Sequence, residues 1–280
     1  MPDSPNGTPP SRPRLGGMAL ANGLLVHGPT HWAAAIQRAD GSIAVASGRK
    51  PRFNIGAIGD LPVVRGVLRI GESVAVLPVM RRNLPEARFA IEEREAAYTV
   101  VGAFLTGVVA RRRLRWPIAQ ETVSAVVGLA PAIVSLRTSR AAAWHAVEHK
   151  SIAAYEAGGL AEVARAGEYP KEHPRCGSNL IAPMMVATIG TNLLLRALPT
   201  DRRPGMRTVA GVIGIGAAVE VFSFASRHPE HLVARGIHGI GHVIQATIAT
   251  KEPEESELLV GAAALREICR VEGIPTGTAV

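Results

Sequence analysis

TVAGVIGIGAAVEVFSFA, residues 208–225, is the stretch that decides the fold of this chain. It is apolar throughout except for one charged side chain, Glu220. Three further stretches share this character, at residues 96–110, 122–136 and 179–195. Each is at or below the ~20 apolar residues that a helix needs to cross a bilayer, so any one alone also fits a buried core helix. Together the four predict a mainly α-helical protein with polytopic or re-entrant membrane helices; the alternative is an Ala-rich soluble helical domain.

Composition and charge support the membrane interpretation. Apolar residues make up 47% of the chain and aromatic residues only 4%, with 29 glycines, as is common in Gly-rich membrane helices. The net charge of +8 comes mainly from arginines clustered at residues 111–115 and 196–207, beside the apolar stretches. These clusters are typical of loops that flank membrane helices. We therefore expect a lipid bilayer as partner and no nucleic acid, while homo-oligomerisation stays open.

The compartment follows from the cysteines and the N-terminus. Cys176 and Cys269 lie far apart in dissimilar contexts, which gives no disulfide framework and suits a reducing compartment. No apolar signal segment is visible at the start, so the N-terminal part is expected in the cytoplasm. The arginines of both Arg-rich loops also favour a cytoplasmic position. Four simple crossings that start from a cytoplasmic N-terminus do not place both loops there. The number of crossings therefore stays open.

Four segments divide the chain. Residues 1–16 are a polar tail expected to be disordered, because they have almost nothing to bury. Residues 17–60 alternate short apolar runs with turn residues and predict a β-rich cap. Residues 61–250 are expected to form a helical, membrane-embedded metal-binding domain. Its first part, residues 61–80, is either an interfacial amphipathic helix or a plain packed helix. Residues 251–280 are a C-terminal amphipathic helix and tail.

Chemistry is first indicated by the sequence HAVEHK at residues 145–150. On a helix His145, Glu148 and His149 share one face, so two imidazoles can bind one Zn²⁺ while the carboxylate between them takes a proton from water. This is the spacing of inverted zincins. Glu156 returns to the same face as a further ligand or an acceptor behind the ligands. Residues of this type also occur on ordinary surface helices without any function.

A second group of metal-ligating residues follows in HPRCGS, residues 173–178. His173 and Cys176 lie on one tight turn and could bind the same ion, or the cysteine could be a nucleophile activated by the histidine. Arg175 and the helix start that follows are expected to favour the thiolate. The plain alternative is a buried cysteine and a capping histidine at a helix start.

Glu220 should have a partner, because an unpaired carboxylate in an apolar segment is expensive. A metal ion bound by His145 and His149 is the first expectation, and an arginine is the alternative. A rival site at His238 and His242 ranks lower, because interleaved glycines weaken the helix that would hold them.

These motifs together resemble the bacterial YqhQ-like family, described as predicted metal-dependent membrane enzymes. GGMALANGLLVHGP at residues 16–29 is similar to that family's GGQAVIEGVMMRGP opening, with Met18, Asn22 and His27 as departures. The matching positions in the later motifs are His145, Glu148, His149, Lys150, Glu156, His173, Arg175 and Cys176. The resemblance implies a metal-dependent protein of the bacterial cytoplasmic membrane and brings no established reaction.

The sequence thus predicts a hydrolase-type enzyme with a divalent metal, Zn²⁺ first, and an unknown substrate. His145 and His149 are the ligands, with Glu220 or a residue of the His173/Cys176 turn as the third, and Glu148 is the general base. Lys150, Arg175 and Glu156 are expected behind the ligands. Two alternatives stay open: a closed structural site of His145, His149, His173 and Cys176, or a metal-free adaptor.

Overall fold

The computed structural model describes residues 12–92, 94–138, 140–196, 199 and 203–275. In these ranges the chain is mainly α-helical, with nine α-helices and one small antiparallel sheet, as predicted. Residues 1–11 of the predicted tail and residues 276–280 lie outside the described part of the chain. Residues 12–15 precede the first strand.

The predicted β-rich cap is a four-stranded meander in which every neighbouring pair is antiparallel. Its strands are β1 Gly16–Ala19, β2 Gly23–His27, β3 His31–Gln37 and β4 Ile43–Arg49. The β3–β4 turn has Gly41 at φ +81°, a conformation that favours glycine. The side chain of Asp40 accepts from the backbone N–H of Ser42 in the same turn. Short connections of this kind keep successive strands paired.

Both faces of this sheet are buried. Alternate side chains of β2 point to opposite sides: Leu24 and Val26 belong to one core cluster, and Leu25 belongs to the other. The first cluster includes Trp144 and Leu265, whereas the second includes Met80. The sheet is therefore a middle layer with helices on both sides.

The helices follow the cap along the chain. They are α1 Val64–Asn83, α2 Arg94–Arg113, α3 Pro117–Gly128, α4 Ala130–Thr138, α5 Ala141–Gly158, α6 Ile181–Leu195, α7 Arg203–Arg227, α8 Leu232–Ile244 and α9 Glu255–Glu272. Short 3₁₀ segments include Glu162–Glu168 and Gly177–Leu180, and a π-helical turn, Gln245–Ala249, ends α8. The helix predicted at residues 61–80 is α1. It packs against the sheet, which favours a packed helix over an amphipathic helix at the membrane interface.

The C-terminal helix α9 is confirmed, and it packs directly on the sheet. Glu254 and Glu257 form a capping box at its start, and Gly273 ends it in the left-handed conformation at φ +66°. The carboxylate of Glu272 accepts from the backbone N–H groups of Thr30 and His31. One core cluster joins the cap, α5 and α9, while the division at residues 60 and 250 stays a prediction.

Three helical segments are long and apolar enough to cross a membrane: Pro117–Ser135, Gly177–Leu195 and Thr208–Arg227. The first combines α3 and α4, which are separated by a break at Leu129. They contain three of the four predicted stretches; the fourth, residues 96–110, is helical in α2 but is not among the candidate spans of the described residues. Exposed apolar side chains on these helices are compatible with a lipid bilayer.

One arginine from each Arg-rich segment lies beside Glu121, at one end of the helices. Glu121, near the start of α3, accepts from Arg196 at 2.7 Å and lies 4.0 Å from Arg111. Because the C-terminal ends of α2 and α6 share this end with the start of α3, the opposite ends of α4 and α6 lead into α5 and the Cys176 turn. Both loops can therefore face the same compartment, as their charge predicts, with the candidate site at the other end. The orientation relative to the cytoplasm stays a prediction.

Candidate metal centre

The candidate centre is built on α5, a helix that is buried along most of its length. Its first turns are rich in alanine, the strongest helix former, and it ends at Gly159, whose φ of +76° favours glycine. A helix buried on all sides belongs to a protein core. Its polar side chains must therefore find partners inside the protein, because unpaired buried polar groups are costly.

Two backbone carbonyls orient the two histidines of α5. His145 Nδ1 lies 3.0 Å from the carbonyl oxygen of Ala249, and His149 Nδ1 lies 2.6 Å from that of Lys171. Because a carbonyl oxygen can only accept, both Nδ1 atoms must donate and carry the proton. Each Nε2 then carries the lone pair that can accept a hydrogen bond or bind a metal ion. Metal-ligating histidines are commonly oriented by hydrogen bonds of this kind.

Cys176 joins the two imidazoles from a separate segment. Its Sγ lies 3.1 Å from His145 Nε2, and the ligand atoms of His145, His149 and Cys176 all lie within 4.8 Å of one another. His149 Nε2 is buried and has no hydrogen-bond partner among the described residues. Zn–N bonds of ~2.0 Å and Zn–S bonds of ~2.3 Å put tetrahedral ligand atoms roughly 3.5 Å apart. The three residues, hereafter the His-His-Cys cluster, therefore fit a divalent ion after small side-chain adjustments.

The electrostatics of the cluster follow from burial. Burial lowers the pKa of His149 to about 3, and the neighbouring His145 adds to this, so the imidazole stays neutral and able to bind a metal. Burial raises the pKa of Cys176 to about 11, and Glu148 contributes in the same direction. The expected thiolate is thus wrong for the metal-free protein, since burial outweighs the hydrogen bonds from Ser178, which act to lower the pKa. A metal ion would have to displace the thiol proton.

Glu148 lies on the buried face of α5 beside these ligands, and its seat is formed by Gly17 of β1. A Cβ atom at Gly17 would lie 2.5 Å from Glu148 Cγ, closer than real Cβ contacts come. Glycine is therefore the residue that lets the strand approach the carboxyl group. Burial raises the pKa of Glu148, while the charge of His145 opposes this. A carboxyl group of this kind can exchange a proton nearer to neutral pH.

A cavity of about 900 Å³ opens onto the cluster. Its wall includes Glu148, His149, His173 and Cys176. Gly17 and His27 of the sheet line it from the other side. Two of the three candidate ligands, His149 and Cys176, and the carboxyl group of Glu148 therefore face a space large enough for a small substrate.

The two predicted ligands on the His173–Cys176 turn have different partners. Cys176 enters the cluster, but His173 Nδ1 accepts from the backbone N–H of Arg175 at 3.2 Å, and its Nε2 lies 3.5 Å from Glu156. The backbone N–H of His173 donates to Gln245 Oε1 at 2.7 Å. The rings of His173 and His149 are 5.7 Å apart. His173 thus lies beside the cluster with both ring nitrogens engaged elsewhere.

The other residues expected behind the ligands hold neighbouring segments. Glu156 forms an ion pair with Arg175 and so joins α5 to the turn. The ammonium group of Lys150 donates to the carbonyls of Gly167 and Tyr169 and pairs with Glu252 at 2.5 Å. It points away from the ligand atoms. These three residues fix the surroundings of the site without touching its ligands.

The structure corrects the expected partner of Glu220. Its carboxylate receives two hydrogen bonds from Arg65, at 2.7 and 2.5 Å, and the backbone N–H of Val63 lies 3.4 Å away. Val63 has φ +73°, which is unusual for a β-branched residue. The alternative partner, an arginine, is therefore the one observed. Arg65 balances the charge of Glu220, so no metal is needed there. The ion pair attaches the start of α1 to α7.

The rival histidines form no comparable group in the described part of the chain. The interleaved glycines do not prevent a helix, since residues 232–244 form α8. His238 Nε2 lies 3.3 Å from the carbonyl oxygen of Ala225, whereas His242 is exposed. Packing against α7 stabilises this helix despite its glycines. The two histidines therefore have different environments despite their helical spacing.

Several parts of the site were missed by sequence reasoning. Gly17 was quoted only within a motif, and Gln245, which joins His173 to Ser178, was not singled out. The carbonyl of Ala249 is free to accept from His145 because the π-helical turn ends there and Pro253 has no N–H to continue the helix. Backbone acceptors of this kind depend on tertiary packing and leave no residue-type signal.

Comparison with known proteins places this geometry in a family. A family model described as "Protein of unknown function (DUF1385)" matches residues 61–271. The chain belongs to this family. The DUF1385 match runs from the start of α1 to the last turn of α9 and therefore contains the whole His-His-Cys cluster.

A curated relative agrees with the resemblance found in the motifs. The chain is 23% identical to "Uncharacterized protein YqhQ" of Bacillus subtilis (strain 168), over 94% of each chain. No solved structure matches this DUF1385 protein. The YqhQ-like family is thus confirmed, and it brings no known reaction to the site.

Proposed function

We propose that this DUF1385 protein is a membrane-associated, metal-dependent enzyme of the hydrolase type. His145, His149 and Cys176 would hold a divalent ion, with Zn²⁺ as the first candidate because its preferred ligands are imidazole nitrogen and thiolate sulfur. The single observation that carries the proposal is His149 Nε2, a buried atom without a partner that lies within 4.8 Å of the two other ligand atoms.

The number of ligands favours catalysis over a closed structural site. Catalytic zinc sites use three protein ligands and keep one position open, whereas structural sites use four. Both ring nitrogens of His173 already face other groups, Arg175 and Glu156, which leaves three ligands in the cluster. An ion held there would supply Lewis-acid chemistry to a substrate in the cavity.

Glu148 is the proposed general base. Its carboxyl group lines the same cavity and lies one helical turn from His145, so it can accept a proton from a water molecule that attacks the substrate. Gly17 would act as a positioning residue, because its missing side chain lets Glu148 lie where it does. Loss of a general base typically lowers a rate by ~10²–10⁴.

A structural metal site is the second candidate. It is supported by the rings of His149 and His173, whose centroids are 5.7 Å apart. A modest rotation of His173 could bring a fourth ligand to the ion. X-ray absorption spectroscopy of the zinc-loaded protein distinguishes the two sites. We expect two imidazole nitrogens and one sulfur from the protein, and an unchanged spectrum in His173→Ala.

A third imidazole in the wild-type spectrum, lost in His173→Ala, would instead support the structural site. Glu148→Gln separates base from ligand in the same series. We expect it to retain metal and to lose hydrolysis of any chromogenic ester that the wild type cleaves. Loss of metal in Glu148→Gln would assign Glu148 to the ligand set and contradict its role as a base.

A further inference from the structure

The wall of the cavity beside the His-His-Cys cluster carries more positive than negative charge. Five cationic side chains line it: Arg14, Lys50, Arg52, Arg69 and Arg175. The carboxyl groups on the same wall are Glu72 and Glu148. Positive charge therefore dominates the space in which a substrate would lie, and a cavity lined by one sign of charge concentrates ligands of the other sign.

Most of these cations lack a carboxylate partner among the described residues. Lys50 donates to the carbonyl oxygen of Gly28 at 3.3 Å, and Arg52 donates to that of Pro29 at 3.2 Å, so both bind neutral backbone groups. Arg69 is exposed, and no ion pair involves it in the described part of the chain. By contrast, the charge of Arg175 is balanced by Glu156. The free charge lies on the side of the cavity formed by the cap and α1.

Two carboxyl groups on this wall offset part of the positive charge. Glu72 accepts from the backbone N–H of Phe53 at 2.9 Å, and Glu148 is buried. Burial lowers the pKa of the Lys50 ammonium group and Arg52 acts in the same direction, whereas Glu72 and Glu272 oppose the shift. Five cations against two carboxyl groups still leave the wall with an excess of positive charge.

The position of the cavity suggests the kind of anion. Its wall includes Gly177 and Phe222, which belong to two of the candidate membrane spans. Headgroups of membrane lipids lie at the ends of such spans. Guanidinium groups match phosphate oxygens in a bidentate manner, and a doubly charged phosphate suits several cations better than a single carboxylate does.

We propose that this basic wall binds the phosphate group of a phosphate-bearing substrate, with Arg69, Arg52 and Lys50 as its anchors. The inference rests on the proposed function, since it names the substrate class for the same cavity. His27 also lines the cavity, and both of its ring nitrogens are buried without a hydrogen-bond partner among the described residues. A lipid headgroup and a soluble phosphate compound share this chemistry.

The test uses the full chain in a nonionic detergent, after chelation, so that any phosphate binding reports on the protein alone. Calorimetry measures binding of inorganic phosphate and of a short-chain phosphatidic acid at constant ionic strength, with acetate as the control anion. The key variant is Arg69→Gln. The matched control is Arg82→Gln, an exposed arginine on the same helix outside the cavity.

We expect Arg69→Gln to weaken phosphate binding about tenfold or more, Arg69→Lys to retain part of it, and Arg82→Gln to bind as the wild type does. Tighter binding of phosphatidic acid, in competition with phosphate, would identify a lipid headgroup as the source. Equal binding of the two would identify the phosphate group alone. Thermal melting of each variant verifies that it is folded.

Binding of neither ligand above acetate, or equal binding by Arg69→Gln and Arg82→Gln, would overturn the inference. Metal analysis of the same preparations before chelation keeps the two proposals apart. Phosphate binding by a protein that takes up no metal would contradict the proposed function alone. Metal uptake without phosphate binding would contradict the basic anion site alone.

Discussion

Gly17 of β1 lies directly against Glu148 of α5, so closely that a Cβ atom at position 17 would come within 2.5 Å of Glu148 Cγ. The contact joins the cap to the helix that carries two of the three candidate ligands. It gives the double glycine of the opening motif a physical role. The neighbouring Gly16 has nothing within 4 Å of its own Cβ position and so provides a matched control.

Gly17→Ala is predicted to displace Glu148 and to lower the free energy of unfolding by about 1–3 kcal/mol, the usual cost of overpacking a core. Gly16→Ala should change the free energy of unfolding by no more than about 0.5 kcal/mol, as is usual for surface substitutions. Thermal melting in detergent measures both. Metal content should be unchanged in each variant, because neither glycine contacts a ligand atom. Equal melting of the two variants would show that Gly17 does not seat Glu148.

Glu220→Gln is predicted to retain the full metal content, because the carboxylate pairs with Arg65 and lies outside the His-His-Cys cluster. It should weaken the attachment of α1 to α7 by up to about 1 kcal/mol, the upper range for partly exposed ion pairs. Melting and metal analysis check both points, with exposed Glu230→Gln as the control. Metal loss in Glu220→Gln alone would restore the original assignment of Glu220 as a ligand.

Cys176 should become reactive to iodoacetamide only after chelation, because a coordinated thiolate is shielded. In the chelated protein its labelling should still be slow at pH 8 and should rise about tenfold per pH unit towards pH 10. The reason is that burial holds its pKa at about 11 and only the thiolate reacts. Mass spectrometry of the labelled peptides gives both rates.

Cys269 is the internal control for this experiment. It lies on the buried face of α9, outside the cluster, and burial raises its pKa to about 11 as well. Its labelling should be slow in both states and indifferent to chelation. Labelling of Cys176 that ignores chelation in the same way would remove it from the ligand set.

Membrane extraction tests the environment of the helices. Three candidate spans carry exposed apolar side chains, such as Val186 and Leu194 on α6, each more than 70% exposed (72% and 73%). We predict that sodium carbonate at high pH leaves the protein in the membrane pellet and that detergent releases it. Release of the full chain by carbonate alone would favour the soluble helical domain.

The parts of the fold that follow from local pattern were predictable. The alternating cap, the C-terminal helix and three apolar spans were each visible in short windows, because hydrophobic periodicity is a local property. The packing of α9 on the sheet was not, since an amphipathic helix does not reveal which surface it covers. The fourth apolar stretch also looked like the other three in the sequence, although α2 is not a candidate span.

The candidate site shows the same division. The spacing of His145, Glu148 and His149 on one helical face was readable, because helical geometry alone fixes it. The choice between His173 and Cys176 was not, since it depends on how a tight turn meets α5. The partner of Glu220 likewise depended on α1, which is distant in sequence. The basic wall of the cavity combines residues from the cap, α1 and the turn, and no single motif contains them.

Metal analysis of the purified full chain tests the central claim most directly. Three proteins would be loaded with Zn²⁺ and freed of excess metal: the wild type, His149→Ala and His242→Ala. Elemental mass spectrometry would then measure the zinc content per chain. His242 is an exposed histidine outside the cluster and serves as the control. The account predicts about one zinc ion per chain in the wild type and in His242→Ala, and a loss in His149→Ala. Wild type without bound metal, or equal zinc in all three proteins, would contradict it.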